Sequence, residues 1–385
     1  NPYYERAKAE YDTEYQKWLG RKTQYDQIYQ QITNADEVLV KHFGKKNYTK
    51  AEVNAIKTEN QELIQAKQIA QFMYSNGMDS MADALKEINE GLESINDYLN
   101  YKLNKTYKGR VNGDNPNDMT TKFYGNGNIK PITKSESHGT HVAGIIAAER
   151  NNGKGADGVA NNVKIMSLRA IPNGDEYDKD VALAIRYAVD NGASIINGSF
   201  GKYYSPHSDW VQDAIVYAEK NDVLIVKAAG NESLDIDKKQ VYPNDVGESG
   251  SEVSNTFLTV GSLAPKYGSG MVSGFSNYGK NNVDVFAPGS DIYSTTPENE
   301  YDTKGGTSMA APAVAGVAAL IRSYYPKLTA AQVKQIIMNS GLALKPKVIV
   351  GGNSDDVRPF SDLTKSSKIV NAYNALIVAA QIASN

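Results

Sequence analysis

The sequence predicts a doubly wound α/β fold, a parallel sheet flanked by helices, preceded by a separate helical bundle or long hairpin. Two observations predict it. From about residue 137 onward, short apolar runs alternate with amphipathic stretches, the rhythm of a parallel sheet covered on both faces. Upstream, the first 105 residues are rich in Glu, Lys, Gln and Tyr and carry stripes of helical period only. A length of 385 residues suits a large domain with an appendage, which divides the chain into a helical insertion or subdomain over 1–105 and a main domain over 106–385.

In the first part, Tyr4, Tyr11, Trp18, Tyr25 and Ile32 recur every seven residues, with Ala7 and Ile28 three positions after two of them. This is one face of a long helix. A second helix is expected from Thr49, where Glu52 completes a capping box, to Asn76-Gly77. A third opens near Ser80 and carries Leu85, Ile88, Leu92, Ile95 and Leu99. Short connections between such helices predict antiparallel packing, and some of the tyrosines must be covered to keep the faces soluble. Residues 106–136 are polar and turn-rich.

The second part reads as His138–Arg150 helix, Val163–Leu168 strand, Asp180–Asn191 helix, Ser194–Asn197 strand, Asp209–Asn221 helix, then strands at Val223–Val226 and Phe257–Val260. In a sheet of this type the functional loops leave the C-terminal ends of the strands.

Composition narrows the function. A net charge of −3 gives no basic excess for nucleic acid, and no apolar run reaches the roughly 18 residues of a membrane span. The absence of cysteine excludes disulfides and thiolate chemistry. The chain starts at Asn1 rather than Met, which reads as processing or truncation upstream.

Four stretches could carry chemistry. Gly305-Gly306-Thr307-Ser308-Met309-Ala310-Ala311-Pro312 precedes the small-residue run Ala313–Ile321 and sets a serine hydroxyl at a helix start, where free N–H groups and a partial positive charge gather. Pro312 suits the first turn, where a missing N–H costs nothing. His138-Gly139-Thr140-His141-Val142-Ala143-Gly144 opens another helix with two of the chain's four histidines. A base at His138 needs only to reach a serine hydroxyl, whereas a zinc pair with His141 lacks a third ligand at suitable spacing. Asn231, after Ala228-Ala229-Gly230, could donate an amide to an oxyanion or tolerate a left-handed turn. Asn197-Gly198-Ser199-Phe200-Gly201 leaves a strand with small residues, room for an extended peptide or a tight exit.

Together these blocks resemble the His, Asn and Ser motifs of the subtilisin-like (subtilase) serine peptidases, over about residues 137–340 and more loosely to the C-terminus. The resemblance implies a subtilisin-like domain over 106–385, with Ser308 as nucleophile, His138 as its base, and the Asn231 amide with the Ser308 N–H as oxyanion donors. It also implies that Ser199, Phe200 and Gly201 face Ala228 and Gly230 across the substrate residue before the cut. Gly198 stands where the family more often has a bulkier apolar residue. The implied activity is endopeptidase cleavage of peptide or protein substrates outside the cytoplasm, secreted or at the cell envelope. No cofactor is implied beyond a structural calcium without assigned ligands, although carboxylates gather at Asp235-Ile236-Asp237, Asp355-Asp356 and Asp114–Asp118.

One motif of the family is missing: an Asp ending an apolar strand before the His block. Asp114 and Asp118 lie in a polar loop with no such strand ahead of them. The expectation is that the Asp strand precedes Asn1, that residues 1 to about 130 are an insertion between the Asp and His blocks, and that an N-terminal fragment could carry the Asp as a bound partner. The alternatives are a non-catalytic scaffold that binds peptides or a partner through the helical region, and a metal-dependent hydrolase built on His138 and His141.

Overall fold

A computed structural model describes residues 2–107, 112–131, 136–172 and 174–384. The chain forms two compact units, Asn1–Arg110 with Asn173–Asp175, and Val111–Pro172 with Glu176–Asn385. Of the turn-rich stretch before the His block, residues 108–111 and 132–135 lie outside the described residues.

The first unit contains α1 (Pro2–Phe43), α2 (Lys50–Ala55), α3 (Gln61–Ser75) and α4 (Met81–Asp97), which runs into a π-helical turn at Tyr98–Lys102. Both α3 and α4 pack along α1 around Ile32, Leu39, Leu63, Ala66, Ala70, Met81 and Ala84. The aromatic stripe is partly covered, with Trp18 stacked on Tyr98 at 4.1 Å and Tyr25 filling the space above Gly91. The single helix expected from Thr49 is two. The Thr49–Glu52 capping box forms, but Asn60 accepts a hydrogen bond from the Leu63 N–H and its own N–H binds the Thr58 hydroxyl. Local side-chain partners there replace helical ones, and the helix restarts.

The second unit contains α5 (His138–Ala147), α6 (Asp178–Asp190), β1 (Ile195–Gly198), α7 (Ser208–Lys220), β2 (Leu224–Ala228), β3 (Phe257–Leu263), β4 (Val285–Pro288), β5 (Ile292–Thr296), β6 (Glu300–Lys304), α8 (Thr307–Tyr324), α9 (Ala330–Ser340), β7 (Leu342–Ala343), β8 (Lys347–Val350), β9 (Asn353–Pro359), β10 (Lys368–Ile369) and α10 (Ala372–Ala383). The main sheet runs β1-β2-β3-β4-β10-β7, parallel except where β10 meets β7; β5–β6 and β8–β9 are separate hairpins. Alternation along β2 sends Leu224, Val226 and Ala228 into the core under α8, α9 and α10, while Ile225 joins Val181, Ile185, Val211 and Ile215 of α6 and α7 on the other face. The sheet is thus covered on both sides, as the strand–helix rhythm predicts.

Two expected elements differ. The helix from His138 stops at Ala147 rather than Arg150, because the N–H groups of Gly158, Val159 and Ala160 return to cap the carbonyls of Ala148, Ile145 and Ile146. Val163–Leu168 is not a strand, and Ile165, Met166 and Leu168 are exposed. A strand exists only where a neighbour takes its backbone groups. Among the described residues none pairs with this run, and none pairs with the outer edge of β1.

Candidate active site

The loops leaving β1 and β2, which are parallel neighbours with Gly198 opposite Lys227, meet the first turn of α8 at the C-terminal end of the sheet. A short series of hydrogen bonds fixes them. Thr307 N–H and Oγ1 donate to Asn231 Oδ1 at 2.8 and 3.0 Å, and the Gly230 N–H donates to Thr307 Oγ1 at 3.0 Å. Asn231 Oδ1 is thereby occupied, which leaves Nδ2 as the free end of the amide. A Cβ at Gly306 would lie 3.5 Å from Asn231 Nδ2, 3.6 Å from Ser308 N and 3.7 Å from Asn231 Oδ1, so glycine keeps open a small space beside both N–H donors. Ser308 is half-buried in the first turn of an 18-residue helix, where the backbone dipoles favour negative charge.

Ser199 links the two sides. Its hydroxyl donates to the Ser308 carbonyl at 2.8 Å, and Ser308 Oγ donates to the Ser199 carbonyl at 3.3 Å, near the long limit for such a bond. The first of these bonds explains Pro312. The helix begins at Thr307, so Pro312 lies in the second turn, not the first, and its missing N–H leaves the Ser308 carbonyl without a helical donor. Ser199 supplies that donor, itself oriented by Asn197 Nδ2 at 2.9 Å. At Gly198, a Cβ would stand 3.5 Å from the Phe200 ring, so the apolar volume there comes from the next residue but one.

His138 is exposed at the start of α5. Val142 and Ile145, one and two turns further on, pack against Met309, the residue after Ser308. Spacing of four and seven places His138 on that same face, on the turn nearest the start of the helix. The other histidine of the block is buried. His141 Nε2 lies 3.1 Å from the Asp302 carbonyl, and burial pushes its pKa below the ordinary histidine value. Neutral His141 donates to β6 while Ser294 and Thr295 of β5 donate to the His141 and Thr140 carbonyls, which clamps the start of α5 to the hairpin.

The two upstream aspartates are otherwise engaged. The Asp114 side chain is buried and takes the Lys179 ammonium on both oxygens, at 2.7 and 2.8 Å, while Asp118 accepts from the Thr120 N–H and hydroxyl. Asp235 pairs with Lys238, Asp237 receives the Asn281 and Asn282 N–H groups, and Asp356 pairs with Arg358. Among the described residues no three His, Asp or Glu side chains stand close enough to hold a metal ion.

One site residue escapes a sequence reading. Asn277 is fully buried, donates to the Ala229 carbonyl at 2.9 Å and accepts from the Glu232 and Leu234 N–H groups at 3.1 and 2.8 Å. Its backbone N–H binds the Gly230 carbonyl. It therefore holds both sides of the Asn231 turn, and Gly230 must lack a Cβ, which would stand 2.3 Å from Asn277 Nδ2. Only the turn-like Ser276-Asn277-Tyr278-Gly279 hints at it in sequence.

The subtilase family model matches residues 45–367. A thermophilic serine proteinase of Bacillus sp. (strain AK1) is 42% identical over 188 residues, 49% of this chain and 43% of that protein. Subtilisin DY of Bacillus licheniformis is 35% identical over 222 residues, 55% of this chain and 73% of that protein. Among solved structures, a protease of Pseudoalteromonas arctica superposes with TM-score 0.50 and 31% identity over 63% of this chain and 70% of its own. The subtilase cytotoxin SubAB gives 0.52 and 26%, over 64% and 77%. The chain spans less than half the length of the Bacillus proteinase. Among the described residues no helix is long and apolar enough to cross a membrane. With its sheet, its Ser308 helix and a family match over most of its length, this chain belongs to the subtilase family.

Proposed function

We propose that the protein is a serine endopeptidase acting through an acyl-enzyme on Ser308. Ser308 Oγ attacks the scissile carbonyl carbon as its proton passes to the His138 imidazole, and the oxyanion takes the Asn231 Nδ2 and Ser308 N–H donors. The imidazolium returns the proton to the leaving amine, and water, deprotonated by His138, then releases the acid. The observation that carries the reading is the pair of N–H donors bounding one glycine-lined space beside the serine. The long bond from Ser308 Oγ to the Ser199 carbonyl costs little to exchange for one to a base.

In the same reading His138 takes its orienting carboxylate from a partner segment bearing an aspartate, since Asp114 and Asp118 are engaged elsewhere. The exposed Ile165, Met166 and Leu168 and the open edge of β1 support a docking strand there. Peptide or protein substrates, and a location outside the cytoplasm, belong to this reading through the relatives' names.

A fluorophosphonate probe tests it. Labelling is expected at Ser308 in the folded full-length protein and is expected to vanish in Ser308→Ala. A folded protein that hydrolyses no peptide and takes no label would end the proposal.

A further inference from the structure

The wall formed by Ser199–Gly201 has an unusual backing. A Cβ at Gly201 would meet the Tyr242 carbonyl at 3.1 Å, Val241 Cγ1 at 3.3 Å and Lys227 Nζ at 3.7 Å. Lys227 is the residue of β2 just before the opposite wall, Ala228–Gly230, and its side chain leaves the strand on the face away from Val226 and Ala228. It is only 2% exposed, beside Thr259 of β3, and lines a cavity of about 350 Å³ together with Asp237, Val241, Asn244 and Asp245. No residue of either wall lines that cavity, so the ammonium approaches the wall only where Gly201 lacks a Cβ.

Among the described residues no hydrogen bond or ion pair reaches this ammonium. Burial pulls its pKa down to about 8, and Glu176 and Asp245 act on it from beyond ion-pair distance, favouring its charged form without occupying its three donors. The ammonium keeps slight contact with solvent, and an incoming carboxylate that replaces water there forms a charged hydrogen bond in surroundings where such a bond is strengthened.

Resting on the peptidase reading, we infer that Lys227 sets which residue is accepted before the scissile bond, and that this residue is acidic. Val241 Cγ1 stands beside the ammonium behind Gly201, 3.3 Å from where a Cβ there would lie, and in this inference it leaves less room for a large apolar side chain. An Asp or Glu side chain entering over Gly201 supplies the acceptor that Lys227 lacks. A Lys or Arg side chain meets a like charge.

The experiment uses fluorogenic peptides that differ only before the scissile bond (Glu, Asp, Gln, Leu, Phe, Lys), assayed on the full-length protein and on Lys227→Met, with fluorophosphonate labelling of Ser308 as the measure of an intact site. In the wild type kcat/KM for Glu or Asp is expected to exceed that for Gln by at least about tenfold, roughly the value of one buried charged hydrogen bond. In Lys227→Met that ratio is expected to fall toward one while labelling persists. A labelled wild type that prefers Leu, Phe or Lys overturns the inference and leaves the peptidase reading standing. An acid preference unchanged in a labelled Lys227→Met overturns it too. The wild-type profile decides alone if the variant does not fold. Absence of labelling in the wild type removes the peptidase reading and the inference with it.

Discussion

Asn277 shows how much of the candidate site can rest on a side chain set behind it. It supplies one donor and two acceptor bonds to the turn that carries Asn231. Asn277→Ala leaves the Ala229 carbonyl and two N–H groups without partners in a buried place, a loss of roughly 2–4 kcal/mol at about 1–3 kcal/mol for the worst-placed group. Because the Asn231 amide is aimed through this turn, kcat is expected to drop about ten- to a hundredfold with KM changed only a few-fold. Asn277→Asp keeps the two acceptor bonds and is expected to recover part of the loss. Steady-state kinetics on the folded variants check it: an unchanged kcat, or a change confined to KM, would remove Asn277 from the positioning of Asn231. Ser308, Asn231 and the His138 block were legible in the chain because each lies in a local run whose small neighbours serve one backbone need. Asn277 was not, because its partners are 43 to 48 residues away and meet only when the Ser273–Tyr278 turn folds back on the exit of β2. The burial of Lys227 is hidden for a similar reason: in the sequence it ends an apolar run like a solvated strand terminus, and pairing with Gly198 on one side and Thr259 on the other encloses it.

At the scale of elements, α8 depends on a residue outside itself. Pro312 would break the helix cheaply were it in the first turn, but here it deprives the Ser308 carbonyl of a donor that the Ser199 hydroxyl replaces. The prediction is an energetic coupling between two residues 113 apart in sequence. Ser199→Ala is expected to destabilise the protein by about 1–2 kcal/mol, and by clearly less in a Pro312→Ala background, where the alanine N–H can close the bond. Urea unfolding of the four proteins of this cycle, all carrying Ser308→Ala to prevent autolysis, measures it. Strictly additive effects would show that the hydroxyl does not stand in for the helical donor. Helices with their own caps, such as α4 from Ser80 and the short α2 with its Thr49–Glu52 box, start where the sequence puts them, although α2 ends at Ala55 where one continuous helix is expected. The reading failed where partners came from afar: residues 158–160 cut α5 short, and Val163–Leu168 has apolar residues enough for a strand but no neighbour to pair with.

Across the whole molecule, the sheet end beneath the candidate site holds an excess of buried charge, and stability should follow its titration. Asp245 is 7% exposed, its Oδ2 has no hydrogen-bond partner, and burial raises its pKa to about 7, with Glu252 and Asp284 adding repulsion and Lys334 opposing the shift. Asp284 is shifted upward for the same first reason, while Lys334 stands 3.7 Å from it and 3.6 Å from Glu252. The sign follows from which state holds the proton. Below about pH 4 Asp245 is protonated in both the folded and the unfolded chain and contributes nothing. Between about pH 4 and 7 the folded protein keeps a proton that the unfolded chain has released, so stability falls as pH rises, by at most about 1.4 kcal/mol per unit. Above pH 7 both states are ionised and the loss, a few kcal/mol at its largest, stays constant. Asp245→Asn removes this contribution and retains the shape. Its stability relative to the parent, both in the Ser308→Ala background, is therefore expected to be near zero at pH 4 and to grow to a gain of roughly 2–4 kcal/mol at pH 8. Unfolding by urea at each pH gives the difference directly, and the contributions of all carboxylates common to the two proteins cancel from it. A difference that is flat with pH, or one that shrinks as pH rises, would mean that Asp245 is ionised within the fold at pH 5, held by Lys334 and Lys227 more strongly than burial opposes it.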